Sequence, residues 1–401
     1  MNSMEKNWPW QRRALTLGPA ASALLAWMRG LAVLLLVALT FATPSAHAAA
    51  DIVVPRDFPT IQAAVDAAAP GATISIQPGT YTEQIVIAKD VTLKGDSQGN
   101  TIIQAPTALS PYAIVVAAQV PIVAVVRITA SAHVTLSGLT VTGSIPCGVG
   151  ASGIHVAQDA TLQVKNAHVT RIRPEQPCAG FSAGFGIGVG LPPAIEIAGQ
   201  RGSRGHAIIT NVSVDHYQDV GVEVVAPLGG APSTATIINS RITGGASPFG
   251  PVAQMGILLR GATTAQVKEN TIRGNACTLP VCGQDPISQV QSIGILTLSA
   301  AHIEENHVSN NDVGIYQLLS PNCCTIRENT LENNRFFGII IQDGDGATEQ
   351  NTITGGAVGF GVIADTQDTV GVLRGDRIRQ TSVAPVQEIA CCGFTATAIV
   401  K

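Results

Sequence analysis

Charge and aromatic rings are scarce in this chain: of 401 residues, 12% are Asp, Glu, Lys or Arg and 4% are Phe, Trp or Tyr. Low charge combined with abundant Val, Ile, Thr, Asn and 41 Gly excludes a disordered polymer and argues for a β-rich, well-packed globular protein. Nowhere do two cysteines stand three apart, so the eight cysteines lack the spacing of a zinc thiolate site. Past residue 48 no apolar run is long enough to cross a membrane as a helix. The longest, Tyr112 to Ile128, is broken by Gln119 and Pro121 and reads as two strands.

Residues 1–48 read as a secretory signal peptide. Arg29 precedes the apolar run Leu31 to Phe41, Pro44 breaks it, and Ala46-His47-Ala48 offers a small-residue cleavage site. Met28 is an alternative start to Met1. Arg12-Arg13 hints at twin-arginine export, but its surroundings fit that motif poorly and the general secretory route is favoured. The expectation is a secreted or periplasmic protein, in which cysteines form disulfides. Candidates are Cys147, Cys178, Cys277, Cys282, Cys323, Cys324, Cys391 and Cys392. Cys147 with Cys178 would staple two loops, and Cys277 with Cys282 would close a small loop. The vicinal pairs 323–324 and 391–392 are expected to tie a C-terminal tail, residues 386–401, back onto the preceding repeats.

Without Lys6, Arg12, Arg13, Arg29 and Glu5 the net charge moves from -4 to about -7. That balance argues against a nucleic-acid partner. An acidic polysaccharide would have to bind through a local basic patch or bridging cations.

Nine Asn-centred segments recur, among them VKENTI ending at Ile272, IEENHV at Val308, IRENTL at Leu331, TEQNTI at Ile353 and LRGDRI at Ile378, the last three steps being 23, 22 and 25 residues. Each repeat also holds a strand led by glycine: Gly153, Gly221, Gly256, Gly294, Gly314, Gly338 and Gly361. Short strands at so short a period, with no helical periodicity and no hairpin signal, predict a solenoid, an all-β right-handed parallel β-helix over residues 49–385. The residue after each glycine is Ile154, Val222, Ile257, Ile295, Ile315, Ile339 or Val362, and this β-branched column is expected inside. Asn270, Asn306, Asn329 and Asn351 form a second column, read as a ladder of side-chain amides that turns the chain. At the N-terminus, Pro59 to Ala69 carries Ile61, Val65 and Ala68 on one helical face, with Pro70-Gly71 to stop it, and predicts a short helix that caps the first coil.

The segment FPTIQAAVDAAAPGATISIQPGTYTEQIVI, Phe58 to Ile87, followed by VTLKGD, resembles the opening of the pectin lyase-like superfamily, particularly pectinesterases and right-handed β-helix repeat proteins. Gly79-Thr80-Tyr81-Thr82-Glu83 matches the GxYxE element of pectinesterases, which many noncatalytic relatives share. The resemblance implies the β-helix fold and, by precedent, an extracellular uronate-rich polysaccharide. Its catalytic elements are not matched: Gln367-Asp368-Thr369-Val370 is a partial QDTL with no DFIFG after it. The signature elements of polygalacturonases, pectate lyases and alginate epimerases do not occur either. Whether the protein is an enzyme stays open.

Candidate sites follow from the strand period. Two residues after each glycine the side chain points outward: His155, Glu223, Leu258, Leu296, Tyr316, Ile340 and Ile363. Long loops before Gly153, Gly256 and Gly294 would wall a cleft beside this strand, the default ligand site. His155 and Glu223 are candidate ligand contacts, and Tyr316 with Arg260 could stack a sugar ring and hold its anionic group. The apolar residues of this outward strip carry the alternative, a noncatalytic scaffold that binds a protein partner or a second copy of itself. No cofactor is expected. Calcium stays open only at Asp343-Gly344-Asp345-Gly346, which reads as a turn and offers two carboxylates where the ion wants six or more oxygens. Asp219 and Asp312 read as turn caps.

Overall fold

The computed structural model describes residues 51–178, 182–197, 199–227, 231–245, 253–277, 292–320 and 323–401. The expected leader, Cys282, and most of the loops before Gly256 and Gly294 lie outside the described residues. Residues 49–401 form one compact unit. Strands stack into three long sheets, numbered 1, 2 and 3 here, of 13, 11 and 14 strands. One coil runs through sheet 3, sheet 1 and sheet 2 in turn, as in Gly150–Val156, Thr161–Lys165 and His168–Arg173. Each strand then pairs in parallel with its counterpart one coil on.

The interior is built as the strand period dictates. Ile154, Ile187, Val222, Ile257, Ile295, Ile315 and Ile339 are successive register partners in sheet 3, each 0% exposed. The strand Ala183–Val189 adds a coil that the alternating glycines of its sequence conceal. The partner of Ile339 is Phe360, so the last leading glycine is Gly359, and Val362 lies opposite Ile341. Close approach explains the residue type: a Cβ on Gly338 would stand 2.6 Å from Gly359 O and 2.5 Å from Ile353 Cγ2.

The turn from sheet 1 to sheet 2 carries the Asn ladder. Glu269, Glu305, Glu328 and Gln350 take left-handed φ of 55 to 56°, and the Asn that follows each is buried. Asn270 Nδ2 donates to Asn306 Oδ1 at 3.0 Å, Asn306 to Asn329 at 3.0 Å, and Asn329 to Asn351 at 2.9 Å. Asp376 ends the ladder, accepting from Asn351 Nδ2 at 2.7 Å. A second ladder, five residues on, was not read from the sequence: Asn275 Nδ2 donates to Asn311 Oδ1 at 2.9 Å and Asn311 Nδ2 to Asn334 Oδ1 at 3.0 Å.

The cap helix spans Ile61–Ala67, with Thr60 as its N-cap and Ile61, Ala64 and Val65 buried. Pro59 therefore falls just before the cap rather than within the first turn. The Glu83 carboxylate accepts from Ile61 N at 2.9 Å and Gln62 N at 2.8 Å, filling two of the donors that a helix start leaves open. The glutamate of the GxYxE element thus holds the cap in place.

The C-terminal residues differ from expectation. Ala384–Ala390 pairs with Val358–Ala364 in sheet 3, and Ala396–Val400 with Thr369–Arg374 in sheet 1, so the segment continues the solenoid instead of forming a tail. Lacking the Gly and Asn signals, it shows its register only through main-chain pairing. Nor do the vicinal cysteines cross-link coils: Cys323 is bonded to Cys324 and Cys391 to Cys392. Cys147–Cys178 is a disulfide between loops of neighbouring coils, Cα atoms 5.5 Å apart. Among the described residues no helix is long and apolar enough to cross a membrane.

Candidate functional site

The outer face of sheet 3 sets Arg127, His155, Gly188, Glu223, Leu258, Leu296, Tyr316 and Ile340 in one register column. From Leu258 onward, pointing outward does not mean exposure. Leu258, Leu296, Ile340 and Ile363 are 8, 7, 1 and 3% exposed. The neighbouring column on the same face holds Val220, Met255, Ile293, Val313, Phe337 and Val358. Side chains of the columns shield one another in a second apolar cluster. The outward strip is thus an extra core layer.

At the other end the column is polar and covered. The short strand Ala113–Val115 and the hairpin Leu191–Ile197 with Gln200–Ser203 add antiparallel strands to sheet 3. Ala113, Ile122, Ala157, Leu191 and Ile197 give this addition its own small core. Tyr112, just before its first strand, lies across two members of the column. Its ring centroid is 4.5 Å from the Arg127 guanidinium carbon and 5.3 Å from the His155 ring. Neither Tyr112 nor Arg127 was singled out from the sequence, because only strand register and the antiparallel addition bring them beside His155.

His155 is 3% exposed, and its Nε2 stands 3.1 Å from Gly190 O. A carbonyl can only accept, so Nε2 carries the proton and Nδ1 keeps its lone pair. That Nδ1 and the Tyr112 hydroxyl are both buried without a hydrogen-bond partner. Gly188 makes the ring's position possible: a Cβ there would lie 2.7 Å from His155 Cδ2 and 3.1 Å from Ser152 Oγ. Burial holds the imidazole pKa down at about 4, with the Gly190 bond opposing and the Arg127 charge assisting. Burial likewise raises the Tyr112 phenol and lowers Arg127.

Glu223, one strand past Gly188, accepts from Arg260 Nη2 at 2.6 Å and Nε at 3.0 Å. The pair is half open, with side-chain exposures of 10% for Glu223 and 42% for Arg260. Asp219 takes the Gly184 amide at 2.6 Å and is pushed up to about 7, by burial first and by the Glu223 charge third, against that hydrogen bond. Asp312 accepts from Cys277 N at 3.0 Å and Ser292 N at 3.1 Å. Both aspartates therefore cap turns. Tyr316 and Arg260 are not brought together: Arg260 is committed to Glu223, while the Tyr316 hydroxyl meets Gln342 Oε1.

The Asp343–Gly346 turn spends its carboxylates on the next coil. Asp343 Oδ1 accepts from Asp365 N and Thr366 N, both at 2.8 Å, and Asp345 Oδ1 from Val370 N at 2.9 Å. These oxygens serve the fold, and nothing in their donor set favours a calcium site.

The polar end thus gathers a neutral imidazole with a free lone pair, a phenol proton, two guanidiniums and a carboxylate. Such a set can accept and donate a proton beside an anion that the cations hold.

A family model described as right handed beta helix region matches residues 193–373. No curated protein matches the sequence. A lacto-N-biosidase from Eubacterium ramulus is 10% identical, with a TM-score of 0.53, the alignment covering 82% of this chain and 62% of that one. ORF18 of Geobacillus virus E2 is 12% identical over 83% of this chain and 57% of its own, with a TM-score of 0.49. An alginate lyase from a Paenibacillus species is 14% identical over 84% and 96%, with a TM-score of 0.47. The chain spans little more than half the length of the viral protein. At these identities the likeness is one of fold.

Proposed function

For a right-handed parallel β-helix of the pectin lyase-like type, we propose that the protein is exported and binds or processes an extracellular polysaccharide, uronate-rich, on the outer face of sheet 3. The observation that carries the reading is the Tyr112, Arg127, His155, Glu223 and Arg260 grouping, a charged stretch on a face whose later coils pack mainly apolar side chains. Arg127 and Arg260 would meet sugar carboxylates, for which a planar fork is suited, and Tyr112 offers a ring face. In the processing form of the proposal, a bound chain displaces the Tyr112 cover, and the enclosed His155 Nδ1, which has no hydrogen-bond partner of its own, then accepts a proton from the sugar.

The test uses the mature protein with pectate, alginate and hyaluronan, with and without calcium. Ultraviolet absorbance follows unsaturated uronate ends, a reducing-end assay follows hydrolysis, and polysaccharide affinity gels follow binding. Cleavage that disappears in His155→Gln supports processing, and retention alone supports binding. Neither cleavage nor retention on any of the three polymers removes the proposal. The second reading, a scaffold that docks a partner through the apolar strip, loses its motivation because Leu258, Leu296, Ile340 and Ile363 are buried.

A further inference from the structure

A second polar site lies on a different sheet. Where the strands Thr140–Ser144 and His168–Arg173 leave sheet 2, Gln104, Thr142, Gly143, Ser144, Arg171, Arg173, Pro174 and Glu175 line a pocket of about 280 Å³. A β-bulge builds it. Register steps from Thr142↔Thr170 to Ser144↔Arg173, so Arg171 and Ile172 together oppose Gly143, and Arg171 takes φ 60°. Val169 and Ile172 are both 0% exposed, although strict alternation would put Val169 and Arg171 on one side. The extra residue turns Ile172 into the core and sends both arginines outward into the pocket. Just beyond, the Cys147–Cys178 disulfide ties together the two loops that continue from these strands. Ile145 N donates to Arg173 O at 3.1 Å, so main chain and disulfide both fix the rim.

Among the described residues neither guanidinium has an ion-pair or side-chain hydrogen-bond partner. Two guanidiniums and the Glu175 carboxylate leave the pocket with one net positive charge, which matches a monoanion. Glu175 would repel the second charge of a phosphate or sulfate, yet it accepts from hydroxyl groups, as Gln104 and Ser144 also can. The volume falls just under the roughly 300–1,000 Å³ of pockets for drug-sized ligands, which suits one ring rather than a chain. We propose that this pocket is a binding site for a single hydroxylated monocarboxylate of the uronic acid class, its carboxylate held by Arg171 and Arg173 and a hydroxyl by Glu175. It stands apart from the sheet 3 site in both place and evidence.

Calorimetric titration of the whole mature protein with D-galacturonate, D-glucose and inorganic sulfate tests the assignment. Galacturonate should bind and glucose should not. Arg173→Ala should weaken galacturonate by about ten- to hundredfold, as expected for loss of a charge-assisted hydrogen bond. Arg173→Lys, which keeps charge and bulk but loses the fork, should fall between. Glu175→Gln should weaken galacturonate while strengthening sulfate. Sulfate that matches galacturonate in the native protein, with a ratio unmoved by Glu175→Gln, would show a plain anion site and overturn the uronate assignment. No binding of galacturonate, or equal binding in the native protein and both Arg173 variants, would overturn the site. Galacturonate binding that survives Arg173→Ala but is lost in Arg260→Ala would place it on sheet 3, again against this proposal. Polysaccharide retention or cleavage that survives Arg173→Ala and is lost in Arg260→Ala reads the sheet 3 site by itself, so either proposal can fail alone.

Discussion

Asn306→Ala is the substitution that asks most of the ladder. Its Oδ1 accepts from both Asn270 N and Asn270 Nδ2 at 3.0 Å, and its Nδ2 donates to Val267 O at 2.8 Å and Asn329 Oδ1 at 3.0 Å. Truncation removes all four bonds in a site that is 1% exposed. Asn329 Oδ1 keeps the Asn306 main-chain donor, and Asn270 Nδ2 keeps Ile237 O. The uncompensated losses are the Asn270 main-chain N–H and one amide hydrogen. At about 1–3 kcal/mol for each of these two unsatisfied buried groups, the variant should be about 2–6 kcal/mol less stable. Asn306→Asp should cost at least as much, because it keeps the acceptor but sets a buried carboxylate against two carbonyl oxygens. Asp376 escapes that penalty at the ladder's end, where its Oδ2 meets Thr348 Oγ1 at 2.8 Å and Arg374 N at 3.0 Å. Urea unfolding followed by circular dichroism reads the loss as a shift of midpoint at constant slope. The exposed His302→Ala, on the outer face of sheet 1, serves as the control and should move by less than about 0.5 kcal/mol. A shift for Asn306→Ala no larger than the control's would refute the reasoning.

Two further perturbations concern the polar end of sheet 3. Gly188→Ala should push the His155 ring off Gly190 O and toward water, so that its pKa, followed by NMR of the ring protons, climbs from about 4 toward 6.5; an unmoved titration would contradict the crowding argument. The pH dependence of stability should show two opposed slopes. Asp219, raised from 3.8 to about 7, holds a proton that the unfolded chain releases, so its contribution is present at low pH and lost as pH rises through that window. His155, lowered from 6.5 to about 4, contributes stability that is present above 6.5 and lost as pH falls toward 4. Thermal midpoints should therefore climb more steeply with pH between about 4 and 6.5 in Asp219→Asn than in the native protein, and less steeply in His155→Gln. Parallel curves for all three proteins would mean that neither group is perturbed as the geometry requires.

Much of the scaffold was legible because a solenoid writes each rule several times. Ile154, Val222, Ile257, Ile295, Ile315 and Ile339 announce an inside column through a period of two and a β-branched residue type, and the structure gives each 0% exposure. Asn270, Asn306, Asn329 and Asn351 announce a turn. The later ladder of Asn275, Asn311 and Asn334 was just as regular, at a constant offset of five, and could have been found by comparing the repeats beyond their strand ends. Exposure was not legible, since outwardness is a property of one strand while burial is set by neighbouring columns and added layers. Leu296 and Ile340 point outward and are still buried. The last coil was missed because main-chain pairing needs no particular side chain. For the vicinal cysteines, adjacency in sequence was itself the pairing.

Repetition also separates scaffold from function at the level of single residues. A side chain whose role recurs coil after coil, as at Asn306 or Ile315, is accounted for by stacking, and no ligand need be invoked for it. The residues that stay unexplained by stacking occur once each. Among the described residues, Tyr112 comes from an antiparallel addition found only beside the early coils. His155 needs the single Gly188 next to it. Arg171 and Arg173 need one extra residue in one strand. All of them lie before the final coils, whose steps settle to 22–25 residues and whose outer face on sheet 3 is closed by apolar packing. A regular parallel coil has its main chain committed to its neighbours, so a polar site must be made where an insertion, a bulge or a glycine breaks the repeat. By that logic both proposed sites fall in irregular coils between about residues 104 and 260, and the coils from Val308 onward, with their steps of 22–25 residues, serve as platform.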